Sequence, residues 1–317
     1  MAPILVGPEL GFSKEYVAHA RGYTQTIPVW VALKFLLPSS LYSASSYVLP
    51  PGRAVRHHLA ETRRLVLPEI RKLLADQGDD AAVESRSVLA GLVKLSAPDA
   101  QDDEALAEIV NQLLFVLFAG ADLFAVVLSQ LLLNILGHPQ YEAELREELA
   151  AAGDNWTRRS AHQLPKLDSF LRETLRLSPP IICTIQRKAM EPIVLSDGTV
   201  LQPGDNVMVP TRGILQDPEI YPDPDRFDPY RFLQSQHQTV TQTLDYTVFG
   251  YGNQTCPGRF FGVMAAKMVF ARLVMDYEMK FVPERKGKPV DWPRGMNLMP
   301  NTDSFVAFRR RSCSLYT

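Results

Sequence analysis

Apolar positions in the first hundred residues recur mostly at helical spacing, in segments bounded by Pro, Ser and Gly. The pattern predicts short helices over 14–22 and 29–37, then a loop over 38–52 with a turn at Pro50-Pro51-Gly52. Residues 54–76 carry Leu59, Leu65, Ile70 and Leu73 at helical spacing, with Pro68 expected to kink that helix or divide it. A polar, acidic stretch over 77–103 surrounds a short apolar helix at 87–94 and reads as a surface connection.

From Glu104 the pattern changes. Residues 104–136 contain no proline, start acidic and become almost wholly apolar from Leu113, ending at Gly137-His138-Pro139. A helix of that length spans about 50 Å. Apolar all round, it belongs in the middle of a domain. Ala119-Gly120-Ala121-Asp122 sits at its centre, a helix-weakening glycine beside a carboxylate in an oily segment. A buried carboxylate is costly unless it is paired or used.

Two amphipathic helices follow, at 140–152 and 166–178, the second closed by Pro179-Pro180. Strand-like pieces come next at 181–187, 193–195, 200–201 and 206–210; 216–254 is proline-rich, aromatic and irregular. Helix returns at 259–276, and strand-like segments close the chain. The fold class is mainly α with minor β (α+β).

Composition narrows the functional classes. With 46% hydrophobic and 21% charged residues in 317, the chain has material for a large core, in one large domain or two ordinary ones. A net charge of −2 and the lack of any long basic block argue against nucleic acid as partner. The N-terminus shows no signal-peptide pattern, and the apolar run at 29–37 is too short to span a bilayer. Cys183, Cys256 and Cys313 form neither a disulfide framework nor a zinc ribbon, so a reducing compartment is the default.

The strongest local signal is Phe249-Gly250-Tyr251-Gly252-Asn253-Gln254-Thr255-Cys256-Pro257-Gly258-Arg259. Gly250 and Gly252 allow a tight loop and close approach to a flat object. Cys256 precedes a helix start, with Pro257 suited to its first turn, and a helix N-terminus favours a thiolate. A lone cysteine is ordinarily a small buried hydrophobe. This loop instead resembles the F-x-x-G-x-x-x-C-x-G ligand loop of the haem-thiolate monooxygenases, the cytochromes P-450. Glu173-Thr174-Leu175-Arg176 resembles that family's E-x-x-R helix. Pro224-Asp225-Arg226-Phe227-Asp228-Pro229-Tyr230-Arg231-Phe232 resembles its P-x-x-F-x-P-x-R-F segment.

The resemblance implies a single P-450 domain over 1–317, with haem as cofactor and Cys256 as the axial iron ligand. Phe249, Gly252, Gly258 and Gln254 then belong to the cofactor loop, Gln254 standing where many members carry His or Arg. Glu173, Arg176 and Arg231 become a buried structural cluster; from their spacing alone, Glu173 and Arg176 are equally a solvated helical pair. Arg187 matches a propionate-binding position, with a plain surface arginine as the alternative. Ala119, Gly120 and Asp122 fit the distal helix motif A/G-G-x-D/E-T, where small residues make space for dioxygen and the acid supplies protons. Leu123 replaces the threonine.

By the same resemblance the chain corresponds to the C-terminal two thirds of the family fold, Val6-Gly7-Pro8-Glu9-Leu10 looking like an element midway through filamentous-fungal members. The membrane anchor, first strands and early helices have no counterpart. The implied function is oxidation of an apolar small molecule in secondary metabolism. Phe115, Leu123, Phe124, Ile181, Ile182 and the 299–302 turn would line the pocket. Electrons would come from NADPH through a flavin reductase docking near Arg259 and Lys267. The implied location is the endoplasmic reticulum surface, with peripheral membrane contact around 29–41. Two alternatives stand beside this: a non-catalytic relative, or a haem enzyme doing rearrangement or peroxide chemistry because of Leu123.

Overall fold

The structure is a computed structural model that describes residues 2–34, 37–75, 87–96, 102–153, 163–235 and 237–311. Cys313 and most of the polar connection expected over 77–103 lie outside the described residues. The chain divides into two compact units, 1–122 and 123–317, each with its own apolar core.

The first unit is helical: α1 (Ala2–Val6), α2 (Pro8–Gly11), α3 (Lys14–Lys34), α4 (Tyr42–Val48), α5 (Pro50–Ala75), α6 (Val88–Ser96) and the first part of α7 (Asp103–Gly137). Its core brings Tyr16 of α3, Val66 and Ile70 of α5, Leu89 of α6 and Val110 and Leu113 of α7 together. Several expectations are corrected here, most of them at prolines. In place of two short helices at 14–22 and 29–37, the described residues form one helix, Lys14–Lys34, continuous through Pro28. Pro50 and Pro51 open α5 instead of forming a turn, because a proline in the first helical turn gives up an N–H that has no intrahelical acceptor. The loop around them also contains α4 and a 3-10 turn, Ser39–Leu41. Pro68 lies inside α5 without dividing it.

The second unit begins within α7 and continues through α8 (Glu142–Ala151), α9 (Pro165–Leu177), α10 (Thr211–Leu215) and α11 (Arg259–Asp276). Four antiparallel two-stranded ladders join these helices. They pair β1 (Ile185–Lys188) with β4 (Asn206–Val209), β2 (Ile193–Val194) with β3 (Val200–Leu201), β5 (Tyr277–Val282) with β8 (Phe305–Arg310), and β6 (Trp292–Arg294) with β7 (Asn297–Met299). Phe170 of α9 stacks on Phe270 of α11 at 5.6 Å, at the centre of the core.

Among the described residues, α7 is the one helix long and apolar enough to cross a membrane. Its last turns, however, bury Gln130 and Asn134, whose amides donate to Asp291 (3.0 Å) and Thr174 (3.2 Å). Amides that donate to protein partners in this way mark a helix end packed in protein, although the Gln130 Oε1 atom itself accepts no bond among the described residues. The expectation of cover on all sides holds only for its ends. Phe115 is 69% exposed, and Ala119 and Asp122 are also exposed.

Helix α9 organises the unit. From Leu167 through Arg176 every residue except Asp168 is buried, charged ones included. Among its described residues the segment after α10 forms one isolated bridge, Thr243 with Tyr246, and scattered turns, so much of its backbone must find partners elsewhere. It finds them on α9. Asp168 accepts from Thr239 N (2.9 Å), Ser169 Oγ from Phe232 N (3.1 Å), and Arg172 donates to the Gln238 carbonyl (2.6 Å).

The strongest of these attachments is the Glu173 carboxylate. Arg176 binds it with two parallel bonds (2.7 and 2.9 Å), and Arg231 Nε reaches it at 3.3 Å. Asp228 N donates to the same oxygen at 3.0 Å. The side chains of Glu173 and Arg176 are fully buried, so the solvated-pair reading of their spacing does not apply. The spare guanidinium donors go to backbone carbonyls: Arg176 to Leu215 (2.7 Å), Arg231 to Pro222 (2.8 Å).

Two outcomes follow for stability. Glu173→Ala leaves a buried guanidinium without its carboxylate and should cost about 3–5 kcal/mol in denaturant unfolding, with Arg231→Lys losing clearly less. Pro68→Ala supplies the N–H that α5 lacks at that turn and should raise the stability of the first unit by about 1–3 kcal/mol, read from the shift in its unfolding midpoint.

Candidate functional site

The irregular segment held by α9 leads directly into the cysteine loop. Tyr221 OH donates to the Asp245 carbonyl (2.8 Å), and Tyr246 OH to the Arg172 carbonyl (3.4 Å). Burial pushes the Tyr221 phenol up to about 12 and raises that of Tyr246 further, so both remain protonated donors. Thr184 Oγ1 donates to the Thr247 carbonyl at 2.7 Å, tying the loop to the residues before β1. Arg172 lies over the rings of Tyr246 (3.8 Å) and Phe232 (4.8 Å), a cation–π contact within the segment it already bonds.

Within the loop, Cys256 N donates to the Phe249 carbonyl at 2.8 Å, closing a ring that fixes the cysteine backbone. Phe249 N is held in turn by Gln242 Oε1 (3.1 Å), and the Phe249 ring packs against the core. Gly250 and Gly252 take φ of +80° and +72°, conformations that side chains rarely adopt, so glycine is required at both. Gly252 starts a 3-10 turn that ends at Gln254, with Gln254 exposed.

Cys256 itself is exposed and free. Helix α11 starts at Arg259 with Gly258 as its cap, so Pro257 precedes the first turn, two residues earlier than its expected place. There it fixes φ between the cysteine and the cap. A Cβ on Gly258 would stand 3.8 Å from Cys256 Sγ, so glycine there keeps the flank of the sulfur open.

The other expected site residues are distributed as follows. Arg187 lies on β1, exposed, donating to the neighbouring Gln186 carbonyl (2.8 Å). Ala119, Gly120 and Asp122 belong to α7 at the end of the first unit. Glu173, Arg176 and Arg231 meet as described above. Arg259 is turned toward its own loop, donating to the carbonyls of Cys256 (2.8 Å) and Val240 (3.2 Å).

Lys267 is the main correction. Expected as a surface residue of a docking site, it is buried and paired with Asp168 at 2.5 Å. Its position on α11 faces α9, and a lysine there is held by that carboxylate. Asp168 and Arg172 are the structural residues that sequence reasoning passed over. The available signal was the run of charges on α9 at four-residue spacing, Asp168, Arg172 and Arg176, on a helix otherwise rich in Leu and Phe.

A sulfur donor at a helix start, flanked by glycines and open to an approaching group, fits an iron porphyrin bound through a cysteine. Comparison with known proteins agrees. The cytochrome P450 family model matches residues 50–307, a stretch that takes in α7, the Glu173–Arg176 helix and the cysteine loop. The chain is 30% identical to the cytochrome P450 monooxygenase verB of Clonostachys rogersoniana over 98% of its length and 64% of that protein's. It is 34% identical to sirB of Leptosphaeria maculans, likewise a cytochrome P450 monooxygenase, over 75% of this chain and 48% of that one. It therefore spans about half to two thirds of the length of these curated relatives. A solved structure, the retinoic-acid-bound cyanobacterial CYP120A1, superposes with a TM-score of 0.71 at 24% identity, over 98% of this chain and 66% of that one. It shares the fold. With its loop, its buried Glu-Arg-Arg network and this match in place, the chain belongs to the cytochrome P450 family.

Proposed function

We propose that this chain is a haem-thiolate monooxygenase that oxidises an apolar small molecule, with secondary metabolism as its setting. The observation that carries the reading is the exposed Cys256, its backbone fixed by Phe249 and its sulfur flanked by Gly258. On this reading residues 1–317 form a single P-450 domain. When bound, haem supplies the iron that activates dioxygen for insertion into a C–H bond.

The chain's own residues have separable tasks. Cys256 would hold the iron through its sulfur, and the Phe249 carbonyl keeps its backbone in place. Gly252 and Gly258 leave room for the flat ring, Arg187 offers a guanidinium to a propionate, and exposed Gln254 offers a neutral amide donor. By the distal-helix motif, Ala119 and Gly120 of α7 would leave space for dioxygen and Asp122 would supply protons. Glu173, Arg176 and Arg231 hold the loop's foundation and touch neither cofactor nor substrate.

Electrons arrive from NADPH through a flavin reductase. Its docking surface excludes Lys267, which is committed to Asp168. Val29, Val31 and Leu41 are exposed apolar residues suited to peripheral contact with the endoplasmic reticulum surface. Leu123 carries a narrower reading: with no hydroxyl beside Asp122, proton delivery depends on the carboxylate with water, on a substrate hydroxyl, or on chemistry such as rearrangement that needs no such relay.

The reading has a direct test. Expressed with haem supply, reduced and exposed to carbon monoxide, the chain should show the red-shifted Soret band of a thiolate-ligated complex, and Cys256→Ser should abolish it. Soluble, folded protein without that band refutes the enzyme and favours the non-catalytic relative. For Leu123→Thr, the fraction of consumed reductant recovered as oxidised product should rise; unchanged coupling counts against a role for the missing hydroxyl.

A further inference from the structure

Three of the chain's six histidines converge on one place in the first unit, apart from every residue assigned above. His19 projects from α3, and His57 and His58 from α5. The ring centroids of all three pairs lie 5.4 to 5.5 Å apart. One ligand nitrogen from each falls within 4.8 Å of the other two, and the Nδ1 atoms of His19 and His58 are 3.3 Å apart. With zinc–nitrogen bonds of about 2.0–2.1 Å at tetrahedral angles, two ligand nitrogens stand about 3.3 Å from each other.

The space is also shaped by the backbone. Gly22 lies one turn after His19 on α3, and a Cβ there would come within 2.4 Å of His58 Cε1 and Nε2. Only a residue without a side chain lets the His58 ring sit against α3. Carboxylates complete the surroundings. Glu15 and Glu61 bring ligand oxygens within 4.8 Å of each other and of a His19 nitrogen, and both bond Arg64.

We propose that His19, His57 and His58 form a zinc site that pins α3 to α5, with Glu61 or water in the fourth position. Three imidazoles suit a borderline-soft divalent ion better than magnesium or calcium, which prefer oxygen. The site is structural in the sense that its ligands come from two helices already packed together. Binding therefore adds to the stability of that pair.

Zinc titration of the purified full chain, in competition with a chromophoric chelator, tests the site without reference to haem or turnover. One zinc per chain is expected. His57→Ala removes an exposed ring that packs in no core, so it should leave folding intact and weaken zinc binding by more than about tenfold, the loss found even for outer partners of metal ligands. Gly22→Ala, which displaces His58, should weaken it as well. Cobalt(II) should give the visible absorption of a tetrahedral ion in the wild type and lose it in the triple variant with alanine at 19, 57 and 58. A wild type that binds no more zinc than the triple variant, or a His57→Ala chain that binds as tightly as the wild type, overturns the proposal.

Discussion

A buried carboxylate on one helix carries the second unit. Glu173 sits where no water reaches it, and its charge is tolerable only because two guanidiniums and a backbone N–H converge on it. Those same partners belong to, or bond with, the segment that leads to Cys256. Apolar contact alone is a poor way to hold a stretch with little regular structure, because its peptide groups still need partners. Here α9 supplies them from consecutive turns: Asp168, Ser169, Arg172, Glu173 and Arg176 each hold a different part of the segment. The cysteine loop is the last link in that series.

The two halves of α7 show a different economy. Its first turns pack Ile109, Leu113 and Leu117 into one core, and its last turns pack Leu131 and Ile135 into the other. Between them the helix leaves Phe115, Ala119 and Asp122 uncovered. Of these only the phenylalanine is exposed at a hydrophobic cost, since alanine is small and a carboxylate prefers water.

How far the sequence foretold this differs by residue. The cysteine loop was legible through its resemblance to the P-450 ligand loop, and the structure gives Gly250 and Gly252 the positive φ that its tight turn needs. The limits of α7, α9 and α11 were legible from apolar spacing. The gap between 22 and 29 and the turn at Pro50 were misread, because α3 runs on through Pro28 packed on α5 despite one missing backbone bond, and an opening proline loses none. The burial of Lys267 was hidden for another reason: its partner Asp168 lies on a different helix, and the pairing leaves no trace in local periodicity. The histidines were hidden in the same way, since His19 stands some forty residues before His58.

The attachments of the irregular segment also span long stretches of chain: Asp228 reaches Glu173 across 55 residues and Thr239 reaches Asp168 across 71. The setting of Cys256 is therefore governed by side chains remote from it in sequence, and a substitution on α9 can disturb the loop without touching any of the loop's own residues.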